Sequence, residues 1–205
     1  MIGLIDYEAG NLASVSNALR RIRVEAKVIK TPEDFGEVSG IILPGVGSAD
    51  ATMKSLEKRE LLRPLEEKVL GEKIPFLGIC VGLQILFEDS EEGGCRCLGW
   101  IKGNVRRFSG GVRVPQIGWN QVEFLRPDPI LDRVESGNYF YFVNSFYAVP
   151  KEDGVQLGTT VYGRPFCSMV RKDNLYAAQF HLEKSGEIGL QLLENFARVD
   201  PGRRS

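Results

Sequence analysis

The chain has one histidine among 205 residues, no surplus of either charge and no uninterrupted apolar stretch of transmembrane length. Each scarcity excludes something. Lys and Arg number 26 against 27 Asp and Glu, so no net basic field exists to hold a phosphate backbone, and nucleic acid is not an expected partner. No run approaches the roughly 18 apolar residues that span a bilayer, so no membrane segment is expected. The opening residues, MIGLIDYEAGN, lack a basic stretch followed by a signal-type apolar core, which makes the expected location cytoplasmic. Cysteine is sparse too, at positions 80, 95, 97 and 167, and in a reducing compartment these are expected as thiols rather than as two disulfides. Cys95 and Cys97 form a C-x-C with no histidine or further cysteine near them in sequence, so they read as loop or strand-edge residues rather than as a metal site. Cys167, in RPFCSMV, reads as a buried strand residue.

What is present is enough apolar sequence for one sizeable core: 43% of the residues are hydrophobic, with no break in composition along the chain. Residues 1–199 are expected to form a single domain, and 200–205, DPGRRS, a solvated tail. The first half alternates. MIGLID, VEAKVIK, GIILPGVG and IPFLGI read as strands. Between them, NLASVSNALRRI and the stretch from Ala51 to Leu70 read as helices, the latter broken before Pro64. Thr31 in TPEDF is a cap candidate with proline at the first helical position. Alternation of this kind predicts parallel strands joined by crossover helices. From Leu98 to His181 the texture changes to strand-like segments, NVRRF, QVEF, YFYFVNSFYAV, VQLGTTVY, PFCSMV and LYAAQFHL, punctuated by Gly, Pro, Asp and Asn. A last helix, GEIGLQLLENFARV, follows. The expected class is α/β: a mostly parallel central sheet flanked by helices, with an additional antiparallel strand-rich part.

The segment IPFLGICVGLQILFE changes period at its cysteine. IPFLGI suits a buried strand, whereas VGLQILFE suits a helix that buries Val81, Leu83, Ile85, Leu86 and Phe87 and leaves Gln84 and Glu88 accessible. G-I-C-V-G has the G-x-nucleophile-x-G form of a strand-to-helix elbow, whose flanking glycines remove side chains that would collide. Cys80 would then point out of the sheet's carboxyl edge, with a helix N-terminus favouring its thiolate and the amide of Val81 free for an oxyanion. A buried cysteine in a tight turn would look the same in isolation. A cysteine nucleophile needs a base, and the lone histidine, His181 in QFHLEKSG, ends a strand-like run with Glu183 two positions on. In extended chain the two side chains point the same way, so the carboxylate orients the imidazole directly or through a small bend. LPGVGSAD supplies the third element, a strand ending in a glycine loop where the amide of Gly47 is a second oxyanion donor.

Together GICVGLQ, LPGVG and HLEKSG resemble the triad glutamine amidotransferases. Within that class, DYEAGNL, VPQIGWN, YFVNSFYA and EKSG are similar to the glutaminase subunits of imidazole glycerol phosphate synthase, over nearly the whole chain from Met1 to about Val199. The resemblance implies a flavodoxin-like fold and no cofactor. It implies an enzyme that hydrolyses glutamine and passes ammonia to a HisF-type TIM-barrel cyclase subunit. That partner turns a phosphoribosyl-formimino carboxamide ribonucleotide into imidazole glycerol phosphate and AICAR in histidine biosynthesis. Carried onto this sequence, it makes Cys80 the nucleophile, His181 the base and later acid, and Glu183 the orienting group. Gly47 and Val81 become oxyanion donors, and Gln84, Asn144, Ser145 and Phe146 the holders of the amino acid part of glutamine. Asn11, Trp119, Asn120, Tyr141 and Lys184 match positions that face or communicate with the cyclase; the lesser alternative for Trp119 and Tyr141 is that they are core aromatics.

The sequence departs from the usual pattern at Leu182, where relatives carry proline; at Ser48-Ala49, often histidine and an aromatic; and at Gln116, often histidine. None removes a triad atom. A proline at position 182 is expected to leave activity intact and raise stability slightly. Two rival readings are a triad glutaminase serving pyridoxal phosphate or purine synthesis, which should lack the GWN and EKSG segments, and a binding subunit that has lost a triad member. All three triad residues are present.

Overall fold

A computed structural model describes residues 1–8 and 11–199, so the expectation of a solvated tail over 200–205 lies outside the described residues. The first half is β1 (Ile2–Ile5), α1 (Leu12–Arg21), β2 (Ala26–Ile29), β3 (Gly40–Leu43), α2 (Ala49–Lys58), α3 (Leu62–Glu66) and β4 (Phe76–Ile79). One helical turn, α4 (Val81–Gln84), and a short hairpin of β5 (Asp89–Ser90) and β6 (Cys95–Arg96) lead into the second half. There β7 (Gly103–Arg107), β8 (Gln116–Phe124), β9 (Asn138–Asn144), β10 (Phe146–Pro150), β11 (Gln156–Tyr162), β12 (Arg164–Lys172) and β13 (Leu175–Ala178) precede α5 (Gly186–Ala197).

The strands run in the order β2-β1-β3-β4-β13-β12-β10-β7-β5-β6, with β11 joining β12 to β8 and β8 carrying β9. β2, β1, β3, β4 and β13 are parallel, and every residue of β1, β3, β4 and β13 is buried, as strands covered on both faces require. The antiparallel part begins where β12 pairs with β13. β13 is the last strand in sequence, yet it lies parallel beside β4 with Ala178 opposite Ile79. That register brings the exits of two distant segments to one sheet edge.

The helical stretch from 51 breaks before Pro64 as expected: α2 stops at Lys58, Glu60 takes a φ of 59°, and α3 runs on into a π-helical turn, Glu67–Gly71. Pro64 sits in the first turn of α3, where its missing N–H removes no intrahelical bond. Two expectations are corrected. The helix expected over 81–88 is only one turn long. Ile85, Leu86 and Phe87 are fully buried. Past Gln84 the amides of Leu86 and Phe87 make only tight i→i−3 bonds, at 3.2 and 3.3 Å, and the carbonyls of Ile85, Leu86 and Phe87 accept from Leu98, Ile101 and Gly99, so the returning segment takes the place of a continued helix. YFYFVNSFYAV divides at Ser145 into β9, which pairs with β8, and β10, which pairs with β7 and β12. Along β9 the period of two is clear: Phe140 and Phe142 are fully buried against Phe180, while Tyr139 is 55% exposed.

Candidate active site

Cys80 leaves β4 with φ 55° and ψ −104°, a conformation that costs a non-glycine residue on the order of 1–3 kcal/mol and tends to occur at functional sites. The flanking glycines have distinct steric duties. A Cβ on Gly78 would lie 2.3 Å from the carbonyl oxygen of Gly82, and one on Gly82 would lie 2.4 Å from that of Leu43. One glycine lets α4 fold back onto its own strand; the other lets it pack on β3. The Cys80 amide donates to Ala178 at 2.8 Å, which sets the elbow at the end of β13, one residue from Gln179.

From that end the chain reaches His181, whose own amide is held by the carbonyl of Tyr141 at 2.9 Å. Leu182–Lys184 form a 3-10 turn, so Glu183 comes round to the imidazole by a helical turn rather than by extended alternation. Nδ1 of His181 lies 2.8 Å from Oε1 of Glu183, and both side chains are shielded from solvent. That leaves Nε2 for chemistry at Cys80, whose side chain raises the pKa of the ring and whose Sγ lies 3.8 Å from the carbonyl oxygen of Val143. Ser185 stiffens the turn: its Oγ donates to the His181 carbonyl at 2.6 Å and accepts from the Tyr141 amide at 3.0 Å.

Burial alone would lower the pKa of His181, but hydrogen bonds with Cys80 and Glu183, and their charges, raise it to about 9. In the unfolded chain the ring titrates near 6.5. The native state therefore binds the proton more tightly, and this contribution to stability is complete below pH 6.5 and is lost as pH rises through about 9. Urea unfolding across that window should show wild-type stability falling relative to a His181→Gln variant. A difference between the two that stays constant with pH would contradict the paired, charged ring.

The sequence-derived substrate residues converge on the elbow, with one correction. Gln84 is not accessible but 3% exposed. Its Nε2 donates to the carbonyl of Phe146 at 3.3 Å and to Oε1 of Gln179 at 3.1 Å, leaving Oε1 without a partner among the described residues. Asn144 is also buried; its Nδ2 donates to the same Phe146 carbonyl at 3.0 Å, and its Oδ1 is likewise unpartnered. Ser145 and Phe146 are half-buried beside them. A buried, unmade acceptor is costly, so these oxygens are suited to a ligand's donors. The loop carrying Gly47, whose φ is 104°, presses on the elbow: a Cβ on Gly45 would lie 2.8 Å from Cβ of Val81. Among the described residues, the amides of Gly47 and Val81 donate to no protein acceptor.

Gln179 escaped the sequence reading. Its Nε2 donates to Sγ of Cys80 at 3.6 Å while its Oε1 accepts from Gln84. The available signal was its place two residues before His181 on a strand end. Gln116, noted in the sequence only as a departure from the usual pattern, is buried opposite Asn144 with Oε1 unpartnered. Among the residues expected to face or communicate with a partner, Asn11 turns its Nδ2 to Oε1 of Glu183, so its side chain joins the hydrogen-bond chain that runs to His181. Trp119 is 55% exposed rather than core. It meets half-buried Tyr141 edge-on, with ring centroids 5.9 Å apart. Asn120 binds the Val161 carbonyl at 2.9 Å, and Lys184 is exposed. Among the described residues no cluster of three or more His, Cys, Asp or Glu is arranged to hold a metal, and no helix is long and apolar enough to cross a membrane.

Leu182 is fully buried, which alters the expectation for proline there. The site accepts proline: His181 before it is extended, and Leu182 opens the 3-10 turn. The gain of about 0.4–1 kcal/mol from a stiffer unfolded chain now opposes the loss of about one buried methylene, near 0.8 kcal/mol. Leu182→Pro should leave the melting temperature within about 4 °C of wild type, the span that about 1 kcal/mol covers at this size. Thermal melting followed by circular dichroism decides; a larger fall would mean that the leucine is packed more tightly than its volume implies.

The family profile Glutamine amidotransferase class-I matches residues 3–199. The chain is 44% identical to imidazole glycerol phosphate synthase subunit HisH of Dehalococcoides mccartyi, over 98% of both chains. It is 45% identical to the subunit of the same name in Methanocaldococcus jannaschii, over 97% of this chain and all of that one. Its fold is similar to a crystal structure of a glutamine amidotransferase, with a TM-score of 0.76 at 21% identity over 97% and 99% of the two chains. PurLQS from Thermotoga maritima also gives 0.76, at 18% identity over 95% and 96%. With its elbow cysteine, buried histidine and full-length kinship, this chain belongs to the class-I glutamine amidotransferases and, among them, to the HisH subunits of imidazole glycerol phosphate synthase.

Proposed function

We propose that residues 1–199 act as a single glutamine amidotransferase domain that hydrolyses glutamine and hands the ammonia to a HisF-type TIM-barrel cyclase, which forms imidazole glycerol phosphate and AICAR in histidine biosynthesis. The observation that carries this reading is the His181–Glu183 pair, 2.8 Å apart and closed to solvent, electrostatically coupled to a cysteine on a strained elbow.

In the proposed reaction Sγ of Cys80 attacks the side-chain amide carbon of glutamine. His181, charged at neutral pH, already holds the proton given up by the thiol and delivers it to the departing nitrogen, so that neutral ammonia leaves. The tetrahedral oxyanion is held by the amides of Gly47 and Val81. Such donors matter for a weak electrophile like an amide, since losing one typically costs about a hundred- to a thousandfold in kcat. Water, deprotonated by the same imidazole, then cleaves the glutamyl thioester and returns Cys80 to its thiol. Glu183 fixes the ring through Nδ1 and Asn11 braces Glu183. The free oxygens of Gln84 and Asn144 accept from the amino acid end of glutamine.

The partner is reached through Trp119, Tyr141 and Lys184. Tyr141 is the link inward, because its backbone binds both His181 and Ser185. The test is to mix the purified chain with a cognate cyclase, glutamine and the carboxamide ribonucleotide, and to follow glutamate and imidazole glycerol phosphate. The two should appear together, and Lys184→Ala should weaken the coupling while the triad stays intact. Absence of glutamate release with the acceptor present overturns the assignment.

A further inference from the structure

Cys95 and Cys97 lie outside the site described above and take no part in its chemistry. They belong to the hairpin that follows the elbow, where Ser90 pairs with Cys95 and Asp89 with Arg96. Two residues apart on extended chain, their side chains leave the same face, and the sulfurs are 3.9 Å apart. Both are half-buried free thiols. No third ligating group joins them among the described residues, so the chemistry open to the pair is that of two thiols.

The hairpin also holds the loop that carries Gly47. Oε2 of Glu92, in the hairpin turn, accepts from the amide of Ala49 at 3.0 Å, two residues beyond Gly47 at the start of α2. The tip presses on the same helix: a Cβ on Gly93 would lie 2.7 Å from Cβ of Asp50. On its other side the hairpin is tied to β7, where Glu91 accepts from the amide of Arg107 at 2.8 Å.

We propose that Cys95 and Cys97 are a redox modification site: with a low-molecular-weight disulfide such as glutathione disulfide as oxidant they close a reversible intramolecular disulfide, which loosens the Glu92–Ala49 brace and slows glutamine hydrolysis. Burial raises the pKa of both thiols, so the attack needs alkaline pH, at which the oxidation is run. One cysteine gives up its proton and attacks a sulfur of glutathione disulfide; that S–S bond breaks and the first glutathione leaves. The second cysteine gives up its proton and attacks the protein sulfur of the mixed disulfide, releasing the second glutathione. Two electrons pass from the cysteine pair to the oxidant, and the two protons end on the two glutathione thiols. Closure has a mechanical cost. Residues two apart in a strand have Cα atoms about 6.4–6.8 Å apart, at the far end of the roughly 4.4–6.8 Å that a disulfide spans. The sulfurs must close from 3.9 Å to about 2.05 Å, and that contraction draws on the chain at Arg96 and on the turn carrying Glu92.

The effect on turnover rests on the glutaminase reading; formation of the bond does not. The whole chain is incubated with glutathione disulfide, alkylated, digested and analysed by mass spectrometry. The peptide containing both residues should be two hydrogens lighter than its reduced form, unalkylated, and restored by dithiothreitol. Turnover should fall about tenfold and recover with reductant, a smaller loss than that of a whole oxyanion donor. A Cys95→Ser/Cys97→Ser double variant should keep the starting rate and lack this reversible fall; any loss it shares with wild type arises elsewhere, Cys80 included. Two thiols that remain alkylatable, or that stop at glutathione adducts, overturn the proposal. A disulfide that forms with turnover unchanged overturns the link to the Gly47 loop. A chain without glutaminase activity before oxidation contradicts the functional reading and leaves the mass result standing.

Discussion

Cys80→Ala should abolish glutamine hydrolysis while the protein stays folded and, in complex with the proposed cyclase, still makes product from ammonium salt at alkaline pH. The loss in kcat should be on the order of a millionfold, the scale on which a triad fails without its nucleophile. Folding survives because alanine at φ 55° is no more strained than cysteine, and only one sulfur's contacts are lost. Glycine tests this account. If the elbow stores backbone strain, Cys80→Gly should be more stable than Cys80→Ala by about 1–3 kcal/mol, measured by urea unfolding. Equal stabilities would mean that the dihedral is not strained. Nitrogen source supplies the functional control: a complex that forms but fails equally with glutamine and ammonia would show that the chain does more for the acceptor reaction than supply nitrogen.

Gly78→Ala should damage both stability and activity, for a reason different from positive φ. The new Cβ would meet the carbonyl oxygen and carbon of Gly82 at 2.3 and 2.5 Å and the amide nitrogen of Leu83 at 3.0 Å. These are backbone atoms of the turn that carries the Val81 amide, and no rotamer relieves them. Overpacking of ordinary side chains costs about 1–3 kcal/mol; against backbone the cost should reach the top of that range, a fall of about 6–12 °C in melting temperature at about 2–4 °C per kcal/mol. If the Val81 amide is the oxyanion donor proposed above, activity should fall at least a hundredfold because that donor moves. Gly47→Ala is the contrasting case: no atom lies within 4 Å of the added Cβ, but φ is 104°, so its penalty is conformational alone. If Gly78→Ala melts like wild type, α4 does not rest on β4 as described.

The alternating first half could be read because each βα unit carries its own period and its own punctuation, and the elbow because G-I-C-V-G records two close approaches of backbone. What could not be read depended on contacts across the sheet. Ile85, Leu86 and Phe87 look the same whether a helix or a compact turn buries them; the carbonyl partners that decide lie at 98–101. Gln179 is an ordinary strand residue in sequence, and only the pairing of Ala178 with Ile79 brings it to the thiol. Asn11 meets Glu183 across 172 residues of chain, a separation that no local pattern encodes.

The backbone of Tyr141 is bonded on one side to the amide of His181 and, through the hydroxyl of Ser185, to its carbonyl; its ring lies against exposed Trp119. A partner seated on that tryptophan therefore bears on the same short span that aims the imidazole. Thermodynamic linkage makes such an arrangement two-way. If docking changes the affinity for glutamine by some factor, glutamine must change the affinity for the partner by that same factor. An occupied pocket would then announce itself at the subunit boundary before any bond is broken, and measuring complex dissociation with and without an unreactive glutamine analogue would read the strength of that signal directly.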